Sequence, residues 1–215
     1  MNLWALHFDK KFAHTLGLEA YDPFLSKDCD IVVNYDTFKH FETMPGELNK
    51  SESPADGQLA IYTMPGEQEL KIDLMTMHYG IPMYELPRAI KRARKIKNIT
   101  VLDPIYLLKA KCHNLIGIPQ GGRQDGKHVG MLTCILPAYF RDLITKAESG
   151  EITERQLIKE MKFLLDLCTK DDVVSRALEV TGTTIRELLP MPQLEETSLE
   201  KIRTFVASPS IPLQE

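Results

Sequence analysis

The stretch that most limits the fold is Asp28–Val33, DCDIVV, together with its later counterpart Lys71–Met75, KIDLM. An apolar, β-branched run of this length reads as a strand of a buried sheet. Side chains on a strand alternate between faces, so Asp28, Asp30 and Val32 share one face and Cys29, Ile31 and Val33 the other. Two carboxylates on one face repel unless one takes up a proton or a cation lies between them. Oxygen-only ligation suits Mg²⁺ or Mn²⁺. Asp73 stands in the same apolar framing. If its strand lies beside the first, it completes a three-carboxylate cluster that can hold two divalent ions around a triphosphate. The plainer alternative is a solvated strand entrance with Asp73 at a strand end, and the residues alone leave both open.

Around these strands the first hundred residues read as an α/β half. The spacing of Leu3, Trp4, Leu6, Phe8, Phe12 and Leu16 predicts a helix over 2–17 closed by Gly17. YDTFKHFETM is a short helix ended by Pro45-Gly46, and PGELNKSESPADG is a polar loop. QLAIYTM and QELKIDLMTM form two strands about Pro65-Gly66, LPRAIKRARKI a basic helix, and NITVLD a further strand.

At Asp103-Pro104 the character changes: an N-cap followed by proline at the first helical position is a strong helix start. The helix DPIYLLKAKCHNLIGI precedes a glycine-rich loop, PQGGRQDGKHVG. Helical periods then run to the end, among them a capping box in TERQ and a frayed tail, SPSIPLQE. The expected organisation is α+β: a core over 1–102 with a mixed sheet and flanking helices, then a helical domain over 103–215.

A net charge of −4 and a pI near 5.9 exclude a protein that binds polyanions through overall charge, so a basic contact has to be local. Cys29, Cys112, Cys134 and Cys168 show neither disulfide-framework nor zinc-finger spacing, which fits reduced thiols in a cytoplasmic protein. No apolar run reaches the roughly 20 residues of a membrane span, and the N-terminus lacks the basic and cleavage regions of a signal peptide.

With SKDCDIVV followed some forty residues later by KIDLM, the chain resembles the nucleotidyltransferase superfamily that includes DNA polymerase beta. The closer likeness is to its bacterial branch of abortive-infection toxins and uncharacterised proteins, over roughly residues 2–120. The resemblance implies Mg²⁺-dependent transfer of a nucleoside monophosphate from an NTP to a hydroxyl acceptor such as RNA or protein. It implies Asp28, Asp30 and Asp73 as catalytic metal ligands. Ser26 matches the small hydroxyl residue before them, with Lys27 beside it in the nucleotide-binding stretch. VLDPIYLLKAKCHNLIGIPQ resembles the helix after the core, where a basic residue, here Lys109 or Lys111, faces the phosphates and Asn114 falls at a polar position. A toxin-like role with an antitoxin-like protein partner belongs to the same implication. The family's Gly-Gly or Gly-Ser turn, which cradles phosphate at a helix N-terminus, would fall before Asn2. A transferase fold that has lost catalysis and serves as an interaction protein is therefore the alternative.

Arg88, Lys91, Arg92, Arg94, Lys95 and Lys97 form either a solvated helix face or an RNA or tRNA phosphate footprint. Asp56 with Glu69-x-Lys71 has the loose outline of a D…E-x-K nuclease, a pattern also common on exposed strands. Arg123, Lys127 and His128 lie in a loop that is not a P-loop; it reads as a flexible interhelix loop, the alternative being that Lys127 or His128 closes over substrate phosphates. For His78 and His113 the plain expectation is a satisfied or surface histidine, and for Trp4 with Phe8 and Phe12, core packing.

Overall fold

Residues 28 to 32 form a strand, and its neighbour is the one that carries Asp73. The computed structural model describes residues 2–12, 16–21, 28–52, 57–66 and 70–208, and of Asp28 the backbone alone. The chain is a mixed α+β protein that divides into two compact units, one of residues 23–91 and one of residues 1–22 with 92–215.

The smaller unit holds β1 (Asp28–Val32), α2 (Tyr35–Thr43), β2 (Glu47–Lys50), β3 (Gln58–Met64), β4 (Leu70–Met75) and α3 (Leu86–Arg92), which ends at the unit's boundary. Its sheet has the order β1-β4-β3-β2, with β1 parallel to β4 and the remaining pairs antiparallel. The alternation read from the sequence holds. Val33, Ala60, Tyr62, Ile72 and Leu74 are buried with Phe41, and Ile31, Phe38 and Leu48 pack against them. Asn34 starts α2 by accepting the Thr37 amide at 2.8 Å. Gly57 precedes β3 with φ +86°, where a Cβ would come within 2.5 Å of the Met77 side chain. Its carbonyl accepts the Thr76 amide at 2.8 Å, which fixes the chain just beyond β4.

The larger unit opens with α1 (Asn2–Lys11) and a 3-10 turn (Leu18–Tyr21), and resumes with the hairpin of β5 (Arg94–Ile96) and β6 (Ile99–Val101). Lys97 takes φ +54° in the two-residue connection of that hairpin, as its tight turn demands. Then follow α4 (Pro104–Gly117), α5 (Asp125–Glu148), α6 (Glu154–Lys170), α7 (Asp172–Thr181), α8 (Met191–Glu196) and α9 (Glu200–Val206). The core is carried by α5, which buries Met131, Leu132, Ile135, Leu136 and Phe140 almost completely. Trp4 stacks on Phe8 with ring centroids 5.2 Å apart, meets Tyr139 of α5 edge-on, and donates its indole N–H to the Leu102 carbonyl at 2.7 Å.

Several boundaries differ from expectation. The first helix stops at Lys11 rather than at Gly17, and α1 belongs with the C-terminal helices rather than with the large sheet. A strand, β2, lies inside the expected polar loop; as an edge strand of ELNK it carries almost no apolar signal. The basic helix ends at Arg92, and Arg94–Ile96 is extended because its partner β6 supplies a ladder that helical periodicity does not reveal. The glycine-rich loop is shorter than read: α5 begins at Asp125 and takes in Gly126 and Gly130. The tail from 209 onward lies outside the described residues.

Candidate functional site

The parallel pairing of β1 with β4 sets Asp28 level with Lys71 and Asp30 level with Asp73. Residues level on neighbouring strands project to the same side of a sheet. The face away from the Phe41 core therefore presents Asp30 and Asp73 side by side, with the Asp28 position one alternation earlier. The fully buried apolar residues of the sheet lie on the opposite face. Asp30 is exposed and Asp73 half-buried, so both remain within reach of solvent ions.

The loop after β4 adds an imidazole. His78 forms an isolated bridge with Ile81, and its Nε2 stands 3.9 Å from Asp30 Oδ2, within ion-pair reach when the ring is protonated. The His78 side chain is only 15% exposed, and its Nδ1 lies 2.9 Å from the Tyr79 carbonyl. From the sequence, His78 is expected only as a satisfied or surface residue. The signal that marks it is its place just beyond the strand of Asp73. Among the described residues, no three His, Cys, Asp or Glu side chains come together closely enough to hold a metal ion. Ser26, Lys27, Asp56 and Glu69 lie outside the described residues, as does the Asp28 side chain; Lys71 is exposed on β4.

Lys109 and Lys111 lie on α4 in the larger unit, and each faces a carboxylate that the sequence reading did not pair with it. Lys109 Nζ is 3.8 Å from Asp171 Oδ2, and Lys111 Nζ is 3.6 Å from Asp125 Oδ1. Asp171 also caps α7 through the Val173 and Val174 amides and is met by His113 Nε2 at 3.1 Å, so His113 is a satisfied histidine. Asp125 is 2% exposed and is gripped by Arg123 Nε at 2.7 Å.

Of the six basic residues offered as a phosphate footprint, Arg88 and Lys91 are exposed on α3, and Arg94, Lys95 and Lys97 on the hairpin. Arg92 is a correction. Its Nε donates to Asp103 at 2.6 Å, its guanidinium pairs with Glu160, and it lies 4.3 Å over the Phe163 ring, so its charge is spent internally. Cys112 and Cys168 are buried, and burial pushes both thiols up, Cys168 to about 12, so they are inert.

Compared with protein families, with curated proteins and with solved structures, the chain finds no match in any of the three. No helix of the described residues is long and apolar enough to cross a membrane.

Proposed function

We propose that the chain is a nucleotidyltransferase-like enzyme that moves a nucleoside monophosphate from an NTP to a hydroxyl acceptor on RNA, protein or a small molecule. The observation that carries this reading is the level register of Asp30 with Asp73 on adjacent parallel strands, on the face opposite the core. Two carboxylates so aligned, with Asp28 as the third, are an all-oxygen donor set of the kind that suits Mg²⁺ or Mn²⁺. Such an ion, when bound, neutralises phosphate charge and lowers the pKa of an attacking hydroxyl. In the reaction the acceptor hydroxyl gives up its proton to solvent as its oxygen bonds to the α-phosphorus, the bond from that phosphorus to the α,β-bridging oxygen breaks, and pyrophosphate leaves. Asp28, Asp30 and Asp73 would hold the ion that positions the reacting groups. The exposed Arg88, Lys91, Arg94, Lys95 and Lys97 suit a phosphate backbone if the acceptor is RNA. A cytoplasmic, toxin-like role with a neutralising protein partner belongs to the same proposal.

The test is incorporation of label from each α-³²P NTP into total RNA and protein, alongside calorimetric titration of Mg²⁺ and NTP. Asp30→Asn and Asp73→Asn are each expected to lower incorporation by at least a hundredfold while leaving the far-UV spectrum unchanged. Wild-type protein that binds neither metal nor nucleotide ends the proposal.

A further inference from the structure

The basic run PRAIKRARKIK contains no aromatic side chain, yet the fold brings one into line with it. The helical path starts a turn before α3. The Pro82 carbonyl accepts the Glu85 amide at 2.8 Å and the Leu86 amide at 3.2 Å, and the Glu85 carbonyl accepts the Ala89 amide at 3.0 Å. Residues 84, 88 and 91 are therefore i, i+4 and i+7 of one helical row. Tyr84 heads that row at 82% exposure, and Arg88 and Lys91 follow it, both exposed. The adjacent row of Met83, Pro87 and Ile90 is exposed as well. The row that faces inward holds fully buried Ala89 and half-buried Glu85, the one acid between Tyr79 and Arg92. Ile81, 1% exposed, bridges to His78 and anchors the turn that carries exposed Tyr79.

The chemistry of the strip decides what covers it. Arg88 and Lys91 call for an anionic partner, an attraction that a chain of net charge −4 does not supply through its overall field. Tyr84 adds a ring face on which a base stacks whatever its identity, and Met83 and Ile90 extend the apolar surface beside it. Paired bases already stack on one another inside a duplex, so an exposed ring serves a strand whose bases are unpaired. Position agrees with this. Tyr84 follows shortly after His78, whose Nε2 is 3.9 Å from Asp30 Oδ2.

We propose that Tyr84, Arg88 and Lys91, flanked by Met83 and Ile90, dock single-stranded nucleic acid, with a base stacked on Tyr84 and phosphates on Arg88 and Lys91. The inference rests on the nucleotidyltransferase reading only for the expectation that the docked strand presents the acceptor hydroxyl. Binding is measured in EDTA and without NTP, so the two ideas fail separately.

The test is fluorescence anisotropy of the full chain with end-labelled oligo(U) and oligo(A) RNA of about twelve nucleotides, over a range of salt concentrations. An RNA duplex of the same length is the parallel arm. Saturable binding to both single strands is expected, at least about tenfold tighter than to the duplex. Tyr84→Ala should weaken it about tenfold with the salt slope unchanged, whereas Tyr84→Phe should retain it. Arg88→Ala combined with Lys91→Ala should weaken binding and reduce the salt slope by about 1.4, the release from two single-strand phosphate contacts. These side chains are exposed, and far-UV spectra of the variants are expected to match the wild type. Duplex bound as tightly as single strand, or no effect of Tyr84→Ala, means charge attraction alone and overturns the proposal. No saturable binding overturns it equally, and self-association in sedimentation that Ile90→Asp abolishes would then assign the apolar row to a protein interface.

Discussion

Asp171 shows how one side chain ties the end of one helix to the start of the next. It terminates α6, caps α7 through two backbone amides, and receives His113 and Lys109 from α4. Burial works against its charge, but the bonds from His113 and the Val174 amide, with Lys109 nearby, outweigh that and hold the carboxyl below the ordinary value. A carboxyl that ionises more readily folded than unfolded stabilises fully above its unfolded pKa, near 4, and loses that contribution as pH falls through its lower folded value. His128 acts in the same direction. Burial and then Lys111 depress it to about 4, so from its unfolded value of 6.5 downward the unfolded chain binds more protons. The urea midpoint is therefore expected to fall between about pH 6.5 and 4 through His128, and below about 4 through Asp171. Asp171→Asn should lower the midpoint at pH 7 and flatten the acid limb below pH 4; an unchanged acid slope in that variant would remove Asp171 from the account. At this scale the candidate site was legible in part. The alternation in DCDIVV and the framing of Asp73 told which face the aspartates take, because a period of two is a local property. The carboxylate partners of Lys109 and Lys111 were not legible, because Asp171 and Asp125 reach them only through helix packing.

At the scale of elements, the strongest local signals survived best. Asp103 caps α4 by accepting the Tyr106 amide at 2.9 Å, with Pro104 at the first helical position as read. Thr153 and Gln156 form the reciprocal capping box that TERQ announces. Thr153→Ala is expected to cost about 1 kcal/mol of stability by chemical denaturation with the slope unchanged; a loss under a few tenths would show that water replaces the hydroxyl. Elements whose stability comes from a neighbour were the ones misread. β2 is polar, and β5 continues a helix-favouring basic run, so each is a strand only because β3 or β6 completes its ladder. Helix α5 likewise starts within a glycine-rich stretch: buried Val129, Met131 and Leu132 repay the weak propensity of Gly126 and Gly130.

On the scale of the whole molecule, chain order and spatial grouping part company. The first 22 residues group with residues 92–215 rather than with the strands that follow them. Nothing local in NLWALHF says this, because an apolar stripe names a face to bury and not the partner that buries it. Trp4 is the anchor, 4% exposed and bonded to Leu102. Trp4→Ala is expected to cost about 3–5 kcal/mol, a large part of an ordinary domain's stability. Trp4→Phe should lose about 1 kcal/mol, chiefly the indole hydrogen bond. Thermal melting of the two variants checks the order; equal losses would mean that the bond to Leu102 dominates and the ring does not.

The parallel alignment of β1 with β4 has a consequence in time. Asp30 and Asp73 are about forty residues apart, and the chain between them builds α2, β2 and β3 before it returns. The β2–β3–β4 meander closes through short connections and can form early, whereas docking β1 onto its edge closes a long loop and is entropically slow. The two aspartates would then become neighbours only in the last act of assembling this sheet. A growing polypeptide would carry no aligned carboxylate pair until β4 had left the ribosome.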